Sequence, residues 1–456
     1  MSDAMQRTIS PVDGSVFVER PLADAAALSG ALVRARTAQA AWRRVPLGER
    51  IRLLSEAVDR FTAMGAEIAP ELSWQMGRPV RYGAGEVNGF AERARTMLSL
   101  APGALADIDP GPKAGFLRFI RREPLGVVLV LAPWNYPYLT AVNAVWPALA
   151  AGNAVVLKHS DQTPLCAERM AQALSALPEG LFQAVHCSHD TLAEVLPRGE
   201  MDLVAFTGSV PGGRAVHRAL GGTLIPSGFE LGGKDPAYVR PDADLAHTIE
   251  SVVDGAFFNS GQSCCAVERV FVHDDVYDRF VEGVVEAVRG YTLGNPLDPD
   301  TTLGPVVRQR SADAIRAQVG QALASGARNL ITGFKDEGVY VAPRVLVDVD
   351  PSMAVMCDET FGPVLPIFRV RSDEQAIELM NDSDFGLTAS VWSTDVDAAL
   401  AIGGSLDTGT VFLNRCDALD PHLAWVGVKH SGPGATLSTV GYERLTRPKS
   451  FHFRLP

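Results

Sequence analysis

The sequence predicts an α/β protein built on parallel β-sheets, and two patterns in its 456 residues carry that prediction. Short, mainly apolar runs rich in β-branched residues recur along the chain, as is typical of strands buried on both faces. Segments with apolar residues at helical spacing lie between them, and this alternation indicates a parallel sheet with crossover helices. Apolar residues make up 47% of the chain and charged residues 21%, so the chain is able to bury a large core.

The elements of the first half follow in order. An amphipathic helix is predicted by the spacing of Ile51, Leu54, Val58 and Phe61. Three buried strands are predicted by GVVLVLAP from residue 126, NAVVLK at 153–158 and DLVAFTG at 202–208. A helix to Ala151 follows the first strand, Thr163-Pro164 predicts the N-cap and first residue of the next helix, and a third helix runs to about Leu220.

The second half reads as another αβ region, from about residue 233 to 425. Within it, HTIESVVDGAFFNS predicts a helix that leads into FFNSGQSCCAVERV at 257–270. Two apolar segments, GFLRFIRREPLG at 115–126 and SFHFRLP at the C-terminus, read as extended arms. Because an arm away from a core usually pairs with another chain, we expect a homo-oligomer.

Charge and cysteine content exclude several kinds of partner. The net charge of −12 argues against nucleic acid or an anionic membrane. The N-terminus has no apolar h-region, so we predict no signal peptide, and the apolar run at 126–134 is too short to span a bilayer. The six cysteines form no disulfide framework, which favours a reducing, cytoplasmic location. His186-Cys187-Ser188-His189 is too crowded for a metal centre, and we predict none.

Polar and glycine-rich residues follow the predicted strands, where ligands of parallel sheets bind. They are Pro133-Trp134-Asn135, Lys158-His159-Ser160-Asp161 and Thr207-Gly208-Ser209. Gly208 and Gly213 have G-x-x-x-x-G spacing and open a helix, whose N-terminus is suited to a pyrophosphate. The pattern is neither the dinucleotide fingerprint nor a P-loop, so by itself it is a weak signal.

Two adjacent cysteines, Cys264 and Cys265, raise the question of a nucleophile. Free cysteine is among the most buried residue types, so a structural reading applies to both. A reactive cysteine needs its thiolate form, a base and an oxyanion donor. Glu230 and Asn135 are candidates for base and donor, yet each is also explained as an ordinary turn residue. The residues alone leave the question open.

Eight motifs carry a resemblance over nearly the whole chain. PWNYP, AGNAVVLKHSDQTP, FTGS, ELGGK, GQSCC, DETFGPV, NDSDFGL and GVKHSG occur in the order of the aldehyde dehydrogenase superfamily, which the chain resembles. The resemblance implies two Rossmann-like parallel-sheet domains and a β oligomerisation arm, in a homodimer or homotetramer. It assigns 1–112 and 126–231 to NAD(P) binding, 232–428 to catalysis, and 113–125 with 429–456 to the arm.

The resemblance also implies oxidation of an aldehyde to a carboxylic acid. In the family motif G-Q-x-C the nucleophile corresponds to Cys264, and Cys265 is its neighbour. Asn135 resembles the donor to the oxyanion of a thiohemiacetal, and Glu230 the general base that hydrolyses the resulting thioester. One alternative is a CoA-acylating relative, a group that typically lacks this base. The other is a catalytically silent structural homologue.

For the cofactor, the resemblance implies NAD, with NADP possible. The matching positions are Pro133, Trp134, Lys158, Ser160, Asp161, Gly208, Ser209, Gly213, Leu231, Glu359 and Phe361. A carboxylate at position 161 accepts from a ribose 2′-OH and repels a 2′-phosphate. Asp161 is shorter than the glutamate of many NAD-preferring relatives, and His159 beside it is able to tolerate phosphate, so NADP stays open.

Substrate walls are expected on the helix after PWN, beside the cysteine and in the loop before GVKHSG. These are Tyr136, Thr140, Asn143, Ser263, Cys265, Arg415, Asp417, Leu423 and Trp425. Asn143 stands where a bulky aromatic often narrows the tunnel, which implies room for a larger aldehyde. Arg415 either pairs with a substrate carboxylate, as a semialdehyde requires, or pairs with Asp417 or faces water.

Overall fold

The computed structural model describes residues 4–456 and has the predicted α/β architecture. The helices, in chain order, are α1 (Ala25–Trp42), α2 (Leu47–Thr62), α3 (Gly65–Met76), α4 (Gly83–Ala104), α5 (Pro137–Ala151), α6 (Pro164–Ala173), α7 (His189–Val195), α8 (Val210–Leu220), α9 (Leu245–Phe257), α10 (Tyr277–Arg289), α11 (Gln309–Ala324), α12 (Ala354–Cys357), α13 (Asp373–Asn381), α14 (Val396–Gly403) and α15 (Ser438–Arg444). Within residues 4–456, no helix combines the length and apolar character needed to cross a membrane.

The strands account for two large sheets and several two-stranded pairs. In chain order they are β1 (Met5–Ile9), β2 (Val16–Pro21), β3 (Phe116–Pro124), β4 (Val127–Ala132), β5 (Ala154–His159), β6 (Phe182–Ala184), β7 (Leu203–Thr207), β8 (Ser227–Glu230), β9 (Asp235–Val239), β10 (Val267–His273), β11 (Arg328–Asn329), β12 (Arg344–Val347), β13 (Val364–Val370), β14 (Phe385–Gly386), β15 (Thr388–Trp392), β16 (Thr410–Leu413), β17 (Trp425–Val426), β18 (Val428–Lys429), β19 (Ala435–Thr436) and β20 (Thr446–Arg454).

The first sheet has five parallel strands in the order β6-β5-β4-β7-β8. The three apolar runs of the sequence form β4, β5 and β7, and every residue of β4 and β5 is buried. Helices α1, α5 and α6 pack against these strands, which is why the runs are apolar on both faces. The carboxyl ends of the strands bring Ala132, His159, Thr207 and Glu230 to one edge.

The second sheet has seven strands in the order β11-β12-β13-β10-β9-β15-β16, parallel except at β11. Strand β8 of the first sheet ends at Glu230 and β9 of the second begins at Asp235, so only a short turn separates the sheets there. Strand β10 begins at Val267, two residues after Cys265. The chain therefore brings Cys264 to the same edge as the carboxyl ends of the first sheet.

The two arms pair with each other. Strand β3 runs antiparallel to β20 in a two-stranded ribbon, from Phe116 opposite Arg454 to Pro124 opposite Thr446. Across the ribbon the rings of Phe119 and Phe451 stack with their centroids 4.4 Å apart. Such aromatic cross-strand pairs stabilise an otherwise marginal two-stranded ribbon.

Two local features differ from the sequence-based expectation. Thr163 is the N-cap residue of α6, but its side chain makes no capping hydrogen bond and its Oγ1 lies 3.0 Å from His159 Nδ1 instead. The β1–β2 hairpin was not predicted, and it anchors the loop after β5, because Gln6 and Thr8 donate to the backbone oxygen of Asp161.

Candidate active site

Two cavities meet between the sheets, and both are lined by Cys264 and Glu230. The sheet-end cavity, about 270 Å³, is lined by Pro133, Trp134, Asn135, Thr140, Thr207, Gly208, Ser209, Glu230, Leu231, Gly232, Cys264, Glu359 and Phe361. The α4–α5 cavity, about 250 Å³, is lined by Arg93, Tyr136, Leu139, Thr140, Asn143, Thr207, Glu230, Leu231, Asp254, Phe258, Ser263, Cys264, Cys265, Asp417, Leu419 and Trp425. The Cys264 sulfur and the Glu230 carboxylate therefore belong to residues that line both cavities.

The turn before Cys264 holds a strained backbone. Asn259 and Ser260 have φ values of 52° and 59°, in the left-handed region that costs non-glycine residues free energy. Gly261, with φ of 69°, permits close packing, because a Cβ there would lie 2.2 Å from the carbonyl oxygen of Gly362. The Asn259 amide donates to the carbonyl oxygens of Asn135 and Gln262, 3.2 Å each. The surrounding contacts thus fix the loop that carries the cysteine.

The two adjacent cysteines have different surroundings. Cys265 is buried and its thiol donates to Asp417 Oδ1 at 2.8 Å, while Ser263 donates to the same oxygen at 3.2 Å. Hydrogen bonding with Cys264, together with burial and the Asp417 carboxylate, raises the pKa of Cys265 well above its usual value. Because a thiolate is the nucleophilic form, the raised pKa disfavours Cys265 as a nucleophile, whereas Cys264 is partly exposed and lines both cavities.

Glu230 is held by two hydroxyl groups. Thr436 donates to Oε1 at 2.5 Å and Thr207 donates to Oε2 at 3.2 Å. Burial raises the pKa of the Glu230 carboxyl, while the two hydroxyl donors and the more distant Arg93 oppose that rise. A carboxyl whose pKa lies above its ordinary value is suited to general base chemistry near neutral pH.

Asn135 is fixed by a buried ionic network. Its side-chain amide donates one N–H to the carbonyl oxygen of Gln262 at 3.2 Å, which leaves a second amide N–H. Arg78 donates to the Asn135 carbonyl oxygen at 2.6 Å and forms a buried ion pair with Glu86. Glu86 in turn accepts from the backbone N–H groups of Tyr138 and Leu139 at the start of α5. Arg78 and Glu86 were not singled out from the sequence, where nothing marks them.

The sheet-end cavity contains several groups suited to a nucleotide. Ser209 is the N-cap of α8, and the N–H groups of that first turn favour phosphate. The rings of Trp134 and Phe361 lie edge to face, with centroids 5.7 Å apart. Gly232 leaves the space in front of Glu359 open, because a Cβ there would lie 2.2 Å from Glu359 Oε1. Burial and the nearby Glu268 carboxylate raise the pKa of Glu359 to about 8.

Four of the predicted cofactor residues do not line this cavity: Lys158, Ser160, Asp161 and Gly213. Lys158 is buried at the end of β5, and Gly213 packs against Leu231, where a Cβ would lie 2.7 Å from Leu231 Cδ2. Asp161 accepts from Arg308 at 2.9 Å, in an ion pair that the sequence did not reveal. Burial disfavours the Asp161 carboxylate, but Arg308 and Lys158 outweigh it and lower its pKa.

The predicted substrate residues are brought together with two exceptions. Tyr136, Thr140, Asn143, Ser263, Cys265, Asp417 and Trp425 line the α4–α5 cavity. Arg415 and Leu423 do not, and both are exposed. The structure thus corrects the expectation that Arg415 faces the substrate and agrees with the alternative that it faces water. The Tyr136 hydroxyl and Asn143 Oδ1 are buried without a hydrogen-bond partner among the residues described.

Arg93 is a cavity residue that the sequence analysis missed. It follows Phe90 by three positions and precedes Met97 by four on α4, so it lies on the helical face that packs inward. Its Nη1 donates to the carbonyl oxygen of Leu139 at 2.6 Å. An arginine inside the apolar stripe of an amphipathic helix was the available signal.

Comparison with known proteins identifies relatives along the whole chain. The model of the Aldehyde dehydrogenase family matches residues 1–451. A succinate-semialdehyde dehydrogenase [NADP(+)] of Mycobacterium avium is 32% identical over 450 residues, 97% of this chain and 95% of the relative. A 3,6-anhydro-alpha-L-galactose dehydrogenase of Streptomyces coelicolor is 33% identical over 459 residues, with 98% and 92% covered. The solved structure of an NADP-dependent glyceraldehyde-3-phosphate dehydrogenase from Bacillus halodurans, complexed with NADP, superposes with a TM-score of 0.94 at 34% identity, covering 100% of this chain and 96% of that one.

Proposed function

The chain belongs to the aldehyde dehydrogenase family and oxidises an aldehyde with NAD(P)+, and we propose that Cys264, Glu230 and Asn135 carry out this reaction. The observation that supports the assignment is the meeting of two cavities at Cys264 and Glu230. An aldehyde in the α4–α5 cavity and a nucleotide in the sheet-end cavity would each reach the same sulfur. The product is a carboxylic acid.

The first step forms a bond between Cys264 Sγ and the aldehyde carbon. The carbonyl oxygen becomes an oxyanion, for which the free amide N–H of Asn135 and the backbone N–H of Cys264 are the proposed donors. Loss of one such donor typically raises the barrier by about 2.7–4 kcal/mol. The Arg78–Glu86 network fixes the Asn135 turn in advance, so little reorganisation accompanies the step.

The sheet-end cavity is the proposed nucleotide site, and the residues present fit that group. The N-terminus of α8 with Gly208 and Ser209 would hold the pyrophosphate, and Glu359 would accept from a ribose hydroxyl. Trp134 and Phe361 would flank the nicotinamide ring. When bound, the cofactor supplies the acceptor for the hydride that leaves the aldehyde carbon.

Hydrolysis of the thioester on Cys264 needs a base, and Glu230 is the carboxylate that shares both cavities with the sulfur. In its ionised form it would take a proton from a water molecule, whose oxygen attacks the thioester carbon and releases the Cys264 thiolate. Thr207 and Thr436 orient the carboxylate for this role. The presence of this base favours transfer to water over transfer to CoA.

The choice between NAD and NADP depends on Asp161. The sequence favours NAD, because a carboxylate there repels a 2′-phosphate. Arg308 offsets part of that charge through its ion pair with Asp161, so we propose that NADP is also accepted. Relatives named as NADP-dependent enzymes support this proposal.

We further propose that the chain forms a homodimer or homotetramer through the β3–β20 ribbon. Leu117 on β3 and Phe453 on β20 are 47% and 53% exposed, which leaves apolar side chains available to a second copy. Light scattering on the purified protein, and on a Leu117→Asp, Phe453→Asp variant, tests this. A wild-type monomer, or a variant that stays assembled, would contradict it.

A cytoplasmic location is proposed from the cysteines. All six are free thiols in the structure, although Cys264 and Cys265 are adjacent. Fractionation of producing cells checks the proposal, and recovery of the protein outside the cytoplasm would refute it.

The activity is tested by following NADH and NADPH absorbance with aliphatic, aromatic and carboxylate-bearing aldehydes. We expect turnover that Cys264→Ala abolishes and Cys265→Ala retains. Turnover that survives Cys264→Ala would disprove the assignment. Release of acyl-CoA in the presence of CoA would indicate an acylating enzyme, and absence of turnover in protein that binds NAD would indicate a silent homologue.

A further inference from the structure

Arg93 is a half-buried cation that lines the α4–α5 cavity and lacks an acidic partner among the residues that the structure describes. Its single hydrogen bond runs from Nη1 to the carbonyl oxygen of Leu139, and it forms no ion pair with the residues that the structure describes. Burial lowers the pKa of the Arg93 guanidinium, and the surrounding carboxylates and thiols only partly offset this effect. A charge that is partly withdrawn from water without a partner is destabilising, which points to a counter-charge that arrives with a ligand.

The remaining N–H groups of Arg93 determine which ligand would fit. Nε and Nη2 make no hydrogen bond within residues 4–456, and together they form the edge of a planar fork. Such a fork matches the two oxygens of a carboxylate. One guanidinium balances one negative charge, so a monoanionic carboxylate fits better than a dianionic phosphate.

The acidic groups that line this cavity either accept hydrogen bonds from other side chains or are exposed. Asp417 accepts hydrogen bonds from Ser263 and Cys265, and burial raises its pKa to about 7, so its charge near neutral pH is incomplete. Both oxygens of Glu230 accept from threonine hydroxyls. Asp254 is exposed. None of them makes a direct ion pair with Arg93.

We propose that Arg93 binds a carboxylate at the far end of the substrate, so that the preferred aldehydes are short ω-oxo acids. This inference rests on the proposed function, because it places the aldehyde end of the same molecule at Cys264. The cavity of about 250 Å³ limits the substrate to a short chain. Arg93 thus has the role that the sequence had left open for Arg415.

Kinetics with matched aldehydes tests the selectivity. The probes are 4-oxobutanoate, 5-oxopentanoate and 6-oxohexanoate, the methyl ester of each, and 4-aminobutanal. We expect kcat/KM to be highest for one of the acids, and its ratio to the matched ester to fall at least about 30-fold in Arg93→Gln, mainly through KM. Arg93→Lys retains the positive charge but not the planar fork, so its acid-to-ester ratio of kcat/KM should lie between those of the wild type and Arg93→Gln. Preference for the esters or for 4-aminobutanal, or a ratio that Arg93→Gln leaves intact, would overturn the proposal.

Calorimetry separates this proposal from the catalytic one. In Cys264→Ala protein, where no thioester forms, the preferred oxo acid should still bind at least about 30-fold more tightly than its ester, and the added Arg93→Gln change should remove the difference. If the acid binds selectively but wild-type protein makes no NADH or NADPH, the proposed function fails and the carboxylate subsite stands. If neutral aldehydes are oxidised while acids gain nothing from Arg93, the subsite fails and the function stands.

Discussion

The hydroxyl of Thr436 should set the pH at which Glu230 acts as a base. In the structure it donates to Glu230 Oε1 at 2.5 Å, and its contribution lowers the pKa that burial raises. In Thr436→Val, the valine side chain has nearly the same shape as threonine but no hydroxyl group to donate a hydrogen bond. We therefore expect the pKa of Glu230 to rise in this variant, because the ionised form loses a hydrogen bond and the neutral form loses less.

The size of the shift follows from the strength of that bond. A hydrogen bond to a charged group contributes about 1.5–3 kcal/mol, and about 1.4 kcal/mol corresponds to a tenfold change in the ratio of ionised to neutral carboxyl, so the ionised fraction on the acid limb should fall about 10- to 100-fold. Glu230 is 9% exposed, so solvent screens little of this effect. The base works only when ionised, and the acid limb of the kcat profile therefore moves to higher pH. On that limb the rate at a fixed pH should fall about 10- to 100-fold.

The assay is kcat against pH, with a rapid-mixing measurement of the first turnover of NADH. We expect Thr436→Val to show a first-turnover burst followed by a slower steady state, because hydrolysis becomes limiting. Thr436→Ser, which keeps the hydroxyl, is the matched control and should follow the wild type. An acid limb that stays in place in Thr436→Val, or moves to lower pH, would show that the Thr436 hydroxyl does not stabilise the ionised form of Glu230.

Three further changes test the groups around the site. Asn135→Ala should lower kcat about 10²- to 10³-fold through loss of the oxyanion donor, and a loss below tenfold in steady-state kinetics would remove Asn135 from that role. Arg78→Met should lower the free energy of unfolding by about 3–5 kcal/mol in denaturant titrations, because Glu86 is left buried without its partner. An unchanged unfolding midpoint would contradict a stabilising role for the Arg78–Glu86 ion pair. Asp161→Ala should raise the ratio of kcat/KM for NADP to that for NAD by about tenfold, or about 1.4 kcal/mol, and a falling ratio would contradict the role of its charge.

Local patterns in the sequence predicted the elements well, because burial on both faces leaves a direct mark. The runs that form β4, β5 and β7 are mainly apolar, and every residue of β4 and β5 is buried, as is typical of strands between two helical layers. The helix leading to the cysteine loop is α9, at Leu245–Phe257. The carboxyl ends of these predicted strands then indicated where the polar residues of a binding site would lie.

Contacts between residues that lie far apart in the sequence produce no recognisable local pattern. Thr436 meets Glu230 across 206 positions, and its hydroxyl is indistinguishable in the sequence from that of any surface threonine. Arg93 was overlooked because a single arginine on an amphipathic helix usually faces water. Arg415 drew attention only through its place in a family loop, and the structure turns it outward. The sequence shows the type of each side chain but not the direction in which it points in the folded protein.

We propose above all that Cys264 carries the acyl group and that Glu230 promotes its release. The most direct test of this proposal is the mass of Glu230→Gln protein after one turnover with NAD and an aldehyde, followed by peptide mapping across residues 257–270. We predict that one acyl group is retained per chain, on Cys264. An acyl group on Cys265, or NADH formation with no covalent adduct, would rule out Cys264 as the residue that carries the acyl group.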